Sequence, residues 1–504
     1  MNNNNRNFLH RYYIAPIIVG IIVSLFVYFV LQDKKTSDTT INTKNDNPEQ
    51  PAVQSLIDVY KIEFANVDYD GNTIDEYEKI LYANKGSIKM ATNKTEVGFE
   101  MQGTGIAFID WGEGANNTVT FTEDIQTYTY SYADTLTRTI TILGNSIWFL
   151  NCWGNQLTKL DVSKNTDLTF LNCGENQLTS LDVSKNIALT ELDCYKNKLT
   201  ILDVSKNTEL TALWCGKNQL TSLDVSKNTE LTTLWCGENQ LTSLDVRKNT
   251  ALTKLWCSEN QLPNLDISKN TALTILFCGD NLLASLDVSN NTTLSGLNCR
   301  KNQLTSLDVS KNIALTELIC SETQLTKLDV SKNTALTCLF CSDNLLTSLD
   351  VSKNTDLTSL NCGENQLTSL DVSKNTALTN LLCNDNLLTS LDVSKNTALK
   401  TLYCYKNKLT ILDVRKNTAL TILWCHDNQL KNLDVSKNTD MTWLECNNNQ
   451  FSIVALNALF ETLHSNTIPL PFEREKPKKI FIGGNPGTDA CNKSIATDKG
   501  WIVK

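Results

Sequence analysis

Cysteine is the residue type with the widest possible chemistry in this 504-residue chain, which contains 17 of them. A thiol can form a disulfide, ligate a metal or act as a nucleophile. Fifteen of the cysteines recur at a constant spacing of 21 residues: Cys152, Cys173, Cys194, Cys215, Cys236, Cys257, Cys278, Cys299, Cys320, Cys341, Cys362, Cys383, Cys404, Cys425 and Cys446. Repeat-equivalent side chains share one direction, whereas a disulfide needs a specific dihedral angle, and an odd number cannot pair completely. We therefore predict a reduced, buried ladder of cysteines packed as small hydrophobic residues, with redox or metal chemistry as the alternative.

Other chemically reactive groups are sparse. Cys338 and Cys491 lie outside the ladder, and Cys338 is expected to point outward, as a reactive thiol if exposed or as a variant of a variable position. The only histidines are His10, His426 and His464, which leaves little scope for a histidine triad or a histidine-rich metal centre. The sequence has no nucleophile–base pair, phosphate loop or metal-ligand cluster. We predict no catalytic residue, no metal site and no cofactor, and a protein that is not an enzyme.

Carboxylates form a second periodic row of fourteen aspartates, from Asp161 to Asp434. A lysine follows three residues after each of them, except at Asn290. The glycine-rich grammar of calcium-binding solenoids is absent, so we interpret the rows as a solvated face of compensating charges. The net charge of −10 excludes the basic footprint that nucleic-acid binding requires.

Aromatic residues are concentrated directly before the cysteines, at a position that varies from repeat to repeat. The predicted ligand-binding residues there are Trp214, Trp235, Trp256, Phe277, Phe340, Tyr403 and Trp424. Tyr405 and His426 lie beside the last two. Exposed aromatic side chains mark interaction sites, which favours ligand binding. The alternative is that the rings only stack on one another across strands.

The element that must position these residues is a repeated coil with two halves, seen in Leu231–Leu252 (LTTLWCGENQLTSLDVRKNTAL). Apolar and polar residues alternate in each half, as in short strands. Leu and Cys of one half and Leu and Val of the other should point inward, giving stacked parallel sheets around a common core. An asparagine three residues after each cysteine should satisfy buried backbone groups where the coil turns. Thr323 replaces it once and should be a local weak point.

The motif L-x-x-L-x-C-x-x-N-x-L resembles the leucine-rich repeat, and its cysteine ladder is similar to the internalin-type arrays of bacterial surface proteins. The match covers residues 147–450, about 15 coils. It implies a curved solenoid, mainly parallel β-structure with little helix, whose concave strands bind other molecules. Asp110–Gly114, Tyr128–Tyr130 and the strand that follows Arg138 resemble a polycystic-kidney-disease-type Ig-like sandwich, which implies a small β-sandwich that caps the first coil.

The sequence outside the repeats predicts an exported, anchored protein. The apolar run 12–31, preceded by Arg6 and Arg11, is long enough to cross a bilayer as an uncleaved signal anchor, with a cleaved signal peptide as the alternative. Asn66–Gly71 is read as a turn or as half of a calcium loop. The predicted segments are a cytoplasmic stub and anchor (1–31), a polar stalk (32–54), an Ig-like β-rich cap (55–146), the solenoid (147–450) and a C-terminal cap (451–504).

Together these features predict a non-catalytic binding or adhesion protein of the bacterial envelope, periplasmic or at the cell surface. Its partner would be a protein or a glycan held on the concave face, with the membrane contacted through the N-terminal helix and no nucleic acid. A structural spacer without a specific ligand is the alternative. The oligomeric state stays open.

Overall fold

The computed structural model describes residues 86–122, 124–144, 146–466 and 478–504. The described helices are α1 (Ile453–Thr462) and α2 (Ser494–Thr497). The described strands are β1 (Ser87–Thr92), β2 (Glu96–Gly103), β3 (Ile106–Asp110), β4 (Asn116–Thr120), β5 (Gln126–Ser131), β6 (Arg138–Gly144), β7 (Ile147–Asn151), β8 (Lys159–Asp161), β9 (Phe170–Asn172), β10 (Glu191–Asp193), β11 (Ala212–Trp214), β12 (Thr233–Trp235), β13 (Lys254–Trp256), β14 (Ile275–Phe277), β15 (Gly296–Asn298), β16 (Glu317–Ile319), β17 (Cys338–Phe340), β18 (Ser359–Asn361), β19 (Asn380–Leu382), β20 (Thr401–Tyr403), β21 (Ile422–Trp424), β22 (Trp443–Glu445), β23 (Lys478–Phe481) and β24 (Trp501–Val503).

The first six strands form two antiparallel layers that continue into the repeats. One layer has the order β4–β3–β6–β1 and pairs through β1 with β8 of the first coil. In the other layer β2 pairs with β5 on one side and with β7 on the other. Buried residues such as Phe99, Trp111 and Ile142 belong to the same hydrophobic core as the repeats. Because both layers pair directly with the first coil, the backbone donors and acceptors on this side of the coil bond to the layers and do not form an open sheet edge.

Each coil from β9 to β22 contributes one three-residue strand. These strands pair in parallel register with one another, with β7 before them and with β23 and β24 after them. In β12 the burial alternates, with Leu234 inside and Thr233 and Trp235 half-buried on the outer side. The cysteine follows the strand, and all fifteen ladder cysteines have an exposed fraction of 0%. The predicted cysteine ladder is therefore confirmed as part of the core.

The asparagine after each cysteine also has the predicted role. In a typical coil, Asn218 donates from Nδ2 to the carbonyl oxygens of Cys215 and Cys194, at 3.1 and 3.0 Å. Its Oδ1 accepts from the Leu199 N–H of the preceding coil at 3.0 Å. One side chain thus satisfies three backbone groups in two coils.

Thr323 breaks this row. Its hydroxyl lies 3.0 Å from the carbonyl oxygen of Cys320 and 2.6 Å from Oδ1 of Asn344. A hydroxyl is too short to reproduce the asparagine's bonds to the preceding coil. Within the described residues, the Leu304 N–H, which an asparagine at 323 would serve, has no hydrogen-bond acceptor.

The second half of the coil differs from the prediction of a second sheet. Among the described residues only β8 of the first coil forms a strand there, and the later coils form turns. The carboxylate of Asp182 accepts from the Ser184 N–H at 2.9 Å, and the Asn186 N–H donates to Val183 O at 3.0 Å. The alternating run is only three residues long, and these two turns bend the chain before another strand can pair.

A second asparagine row, missed in the sequence analysis, holds these turns together. Asn186 is fully buried and donates from Nδ2 to Val162 O at 2.9 Å and Asn165 O at 2.7 Å. The same bonds recur in each coil through Asn438. The row therefore links consecutive coils on the side opposite the strands.

The C-terminal segment extends the strand row and covers the last coil. Helix α1 begins after Ser452, whose side chain accepts from the Ala455 N–H as an N-cap. Strand β23 pairs with β22, and β24 pairs with β23. No helix within the described ranges is long and apolar enough to cross a membrane. The predicted anchor 12–31, the stalk 32–54 and the loop Asn66–Gly71 lie outside the described residues.

Candidate ligand-binding face

We call the outer surface of the three-residue strands the strand face. It carries the side chains three residues before, one before and one after each ladder cysteine. Because the strands pair in register, equivalent side chains form columns that run from coil to coil. The seven predicted binding residues all lie in the column directly before the cysteines.

Four of them are consecutive, since Trp214 pairs with Trp235, Trp235 with Trp256, and Trp256 with Phe277. All four are half-buried. The rings of Trp235 and Trp256 are tilted with centroids 6.3 Å apart, and Trp256 meets Phe277 edge-on at 6.5 Å. Tyr195, which the sequence analysis missed, lies 4.9 Å from the Trp235 ring. It occupies the position directly after a cysteine, where the sequence analysis named Tyr405 and His426 but not Tyr195.

Two glycines make room for the Trp235 ring. A Cβ added to Gly216 would lie 2.8 Å from Nε1 of Trp235, and one added to Gly237 would lie 3.3 Å from the same atom. The indole therefore leans over the coil before its own, toward Tyr195. The position after the cysteine thus decides how the neighbouring ring lies.

Tyr403 and Trp424 form a different arrangement near the C-terminal end. Their rings stack at 4.1 Å with an interplanar angle of 4°, and Tyr405 stacks on His426 at 4.5 Å and 10°. Burial raises the pKa of Tyr403 to about 12, so its hydroxyl is protonated at neutral pH. Much of the ring surface in this cluster is used inside the protein.

The carboxylates around these stacks are also engaged. Glu445 Oε1 accepts from Trp443 Nε1 at 2.7 Å, and its Oε2 lies 3.6 Å from His426 Nε2. Asp427 Oδ2 lies 2.6 Å from the other ring nitrogen of His426. Trp424 Nε1 is buried without a hydrogen-bond partner among the described residues.

The aromatic stripe is not continuous between the two groups. Phe340 has an exposed fraction of 9%, and Asn298 and Ile319 in the same column are also buried. Phe340 therefore offers less surface to a ligand than the tryptophans do. The structure separates an N-terminal aromatic cluster (Tyr195, Trp214, Trp235, Trp256 and Phe277) from a C-terminal aromatic cluster (Tyr403, Tyr405, Trp424 and His426).

A row of charged residues borders the strand face, two positions after each cysteine, with left-handed backbone φ values of 49–56°. Of the thirteen from Glu175 to Asp427, nine are acidic and four are lysines. Each lysine pairs with an acidic neighbour along the row, as Lys217 does with Glu238 at 3.2 Å and Lys406 with Asp385 at 3.1 Å. The row therefore has an excess of negative charge.

Two further carboxylates stand on strand β10, within the strand face. Burial raises the pKa of Asp193 from 3.8 to about 6, and burial also raises the pKa of Glu191. Asp193 accepts from the Tyr195 N–H at 2.9 Å. In the described part of the chain neither carboxylate forms an ion pair with a basic side chain within 4.0 Å.

The functional domain of InlJ from Listeria monocytogenes, which includes a cysteine ladder, is 38% identical, with a TM-score of 0.62 over 68% of this chain and 77% of that domain. This chain belongs to the cysteine-ladder internalin family of leucine-rich-repeat proteins. A Leptospira interrogans leucine-rich-repeat protein (22% identity, TM-score 0.53, 67% and 84% covered) shares the fold. The plant peptide hormone receptor RGFR1, solved in complex with RGF2, also shares the fold, with 17% identity and a TM-score of 0.50 over 67% of this chain and 70% of that chain. No family model and no curated protein matched the chain.

The cysteines of this internalin-type array are unsuited to thiolate chemistry. Burial raises the pKa of Cys152 to about 12, and it also raises the pKa values of the other ladder thiols. Cys338 lies on β17 and faces outward as expected, but burial raises the pKa of its thiol to about 12 as well. Among the described residues no group of three or more His, Cys, Asp or Glu side chains could hold a metal ion.

The aspartate row on the opposite side of the coils is structural. Hydrogen bonds from the serine two residues later lower the pKa of Asp182 and its equivalents, and the nearby lysines make smaller contributions. Arginine replaces that serine twice, and Arg247 and Arg415 form ion pairs with Asp245 and Asp413 at 2.7 Å. The aspartate carboxylates are therefore stabilised more by hydrogen bonds within their own turns than by the lysine row.

Proposed function

We propose that this internalin-type chain is a non-catalytic binding protein of the bacterial envelope whose strand face recognises a protein or glycan partner. The observation that carries the proposal is the column Trp214, Trp235, Trp256 and Phe277, in register on four adjacent strands. These rings occupy a position that varies between coils, whereas the leucines, cysteines and asparagines that hold the coil repeat. Half-buried tryptophans on such a surface are typical of binding hot spots.

The envelope location is part of the same proposal. The apolar run 12–31 supports export and a membrane anchor, with the stalk 32–54 as spacer. We further propose that residues 55–146 form an Ig-like cap of the polycystic-kidney-disease type. The pairing of β1 with β8 and of β2 with β7 supports a capping role for its described part.

A structural spacer without a specific ligand is the second candidate. It is favoured by the C-terminal aromatic cluster, where Tyr403 and Trp424 stack closely on each other. Rings that contact each other stabilise neighbouring coils whether or not a ligand binds.

The full-length protein, applied to protein and glycan arrays, separates the two candidates. A specific partner whose binding falls when Trp235 and Trp256 are changed to Ala supports recognition by the strand face. Tyr403→Ala is the matched control, because its ring is already stacked in the C-terminal cluster. Binding that survives the double change would remove the N-terminal cluster as the site, and no specific partner on either array favours the spacer.

A further inference from the structure

Asp193 and Glu191 are carboxylates on a surface that gives them no cation. Both belong to β10, whose side chains stand beside those of β11. A half-buried carboxylate without a positive partner is unfavourable, because burial removes water that would stabilise its charge. The two lysines of the bordering row in these coils are already engaged. Lys196 Nζ lies 3.2 Å from Glu175 Oε1, and Lys217 Nζ lies 3.2 Å from Glu238 Oε1 and 5.5 Å from the Tyr195 ring centroid.

Trp214 lies directly next to this pair, in register with Asp193. No ring–ring contact of Trp214 is found within the described ranges, although its neighbours Trp235, Trp256 and Phe277 contact one another. The reason is that the Trp235 indole leans over Gly216 toward Tyr195. Trp214 is therefore a half-buried tryptophan that no other aromatic ring covers.

The position beside Glu191 on β11 holds a small side chain. Ala212, the residue of β11 that pairs with Glu191, has no side chain beyond Cβ. The C-terminal aromatic cluster offers no equivalent place, because its rings stack and Glu445 is bonded by Trp443. Unpaired carboxylates and an unstacked indole thus occur together on adjacent strands at β10 and β11.

We propose that Glu191, Asp193 and Trp214 form a subsite for a positively charged side chain, lysine or arginine, of a protein partner. This inference rests on the proposed function of the strand face. A guanidinium or ammonium group there would pair with the carboxylates and lie against the indole ring, the two interactions that recognise such cations. The acidic excess of the bordering row complements a basic partner and would attract it over a longer distance.

Two small probes test the subsite directly in the full-length protein. Ethylguanidinium is titrated against ethylurea, a neutral compound of similar shape, while the indole N–H resonance of Trp214 is followed by NMR. We expect a saturable shift with ethylguanidinium and no saturation with ethylurea. Equal responses to the two compounds would overturn the proposal.

Two matched variants test whether the Asp193 carboxylate binds the cation. Asp193→Asn should weaken ethylguanidinium binding by about tenfold, because it removes the carboxylate but keeps a bond acceptor for Tyr195. The variant is expected to fold, since Asn172 and Asn361 hold the same position and bond in other coils. Asp182→Asn, with the same charge change on the opposite side, should bind like the wild type. Equal affinities of the two variants would refute the subsite.

Failure of this inference is distinguishable from failure of the proposed function. If an array partner is lost on changing Trp235 and Trp256 but retained by Asp193→Asn, and ethylguanidinium does not bind, the strand face is still the site and the cation subsite is wrong. If ethylguanidinium binds at Trp214 but no partner depends on any of the three residues, the subsite stands and the proposed function fails.

Discussion

Thr323 offers a test of what one asparagine contributes to the coil. In the next coil Asn344 accepts from the Leu325 N–H at 2.9 Å and donates to Cys320 O at 2.9 Å. With threonine at 323, the equivalent bonds to Leu304 N–H and Cys299 O are not made. The Thr323→Asn change restores both, and each neutral hydrogen bond contributes about 0.5–1.5 kcal/mol. We therefore expect a local gain of about 1–3 kcal/mol.

Hydrogen exchange is the suitable assay, because long repeat arrays do not unfold in two states and open locally. A gain of this size should slow exchange of the Leu304 amide by about 5- to 150-fold, at roughly 1.4 kcal/mol per factor of ten. The reciprocal change Asn302→Thr should expose the Leu283 amide, which donates to Asn302 Oδ1 at 2.9 Å. If Leu304 exchange is unchanged in Thr323→Asn while Asn302→Thr accelerates Leu283, the reasoning about Thr323 is wrong.

Three further predictions concern titratable groups. Burial raises the pKa of Asp193 from 3.8 to about 6, so the folded state holds this proton more tightly and its carboxylate costs stability as pH rises from 3.8 through 6. In Asp193→Asn the amides of β10 should therefore exchange more slowly than in the wild type at pH 7.5 and no more slowly at pH 3.5, measured by hydrogen exchange. Burial lowers the pKa of His464 below 6.5, so the C-terminal cap should lose stability as pH falls through 6.5. Hydrogen exchange of the α1 amides at pH 7.5 and 5.5 measures this loss, and the His464→Gln variant should not show it. A disulfide reagent applied to the native protein should modify half-buried Cys491 before the fifteen ladder thiols, which should react only in denaturant; rapid native labelling of Cys236 would contradict the buried ladder.

The periodic part of the fold was predictable because each coil repeats the same requirements. The 21-residue spacing, inward Leu234 and Cys236, and the asparagine row follow from alternation and from the need to satisfy backbone groups. The prediction of a second sheet was wrong because Leu-Asp-Val alternates like a strand. The Asp–Ser turn that ends this segment depends instead on a hydrogen bond between the aspartate side chain and the backbone. The second asparagine row is present in the sequence as an unvarying asparagine at the position of Asn186 in each repeat. Only its position inside the folded coil shows that it links neighbouring coils.

The candidate site was predictable in composition but not in arrangement. The sequence places Trp214, Trp235 and Trp424 in one column, yet their rings differ in what they contact. Ring orientation depends on the residue after the neighbouring cysteine, glycine beside Trp235 and tyrosine or histidine beside Trp424. Whether a ring is available to a ligand therefore depends on the residues of two neighbouring coils and cannot be predicted from one repeat alone.

The structure separates the residues that hold the coil from those that can vary. Leucine, cysteine and the two asparagine rows fill the core and bond the buried backbone in the coils, with the one exception at Thr323. Substitutions in the outward columns leave these bonds intact. Asp193 shows the consequence, because an aspartate with a raised pKa is tolerated where other coils have asparagine making the same backbone bond. A scaffold without a ligand gains nothing from exchanging that asparagine for an unpaired carboxylate beside an unstacked tryptophan. A binding surface does gain if its partner supplies the missing positive charge.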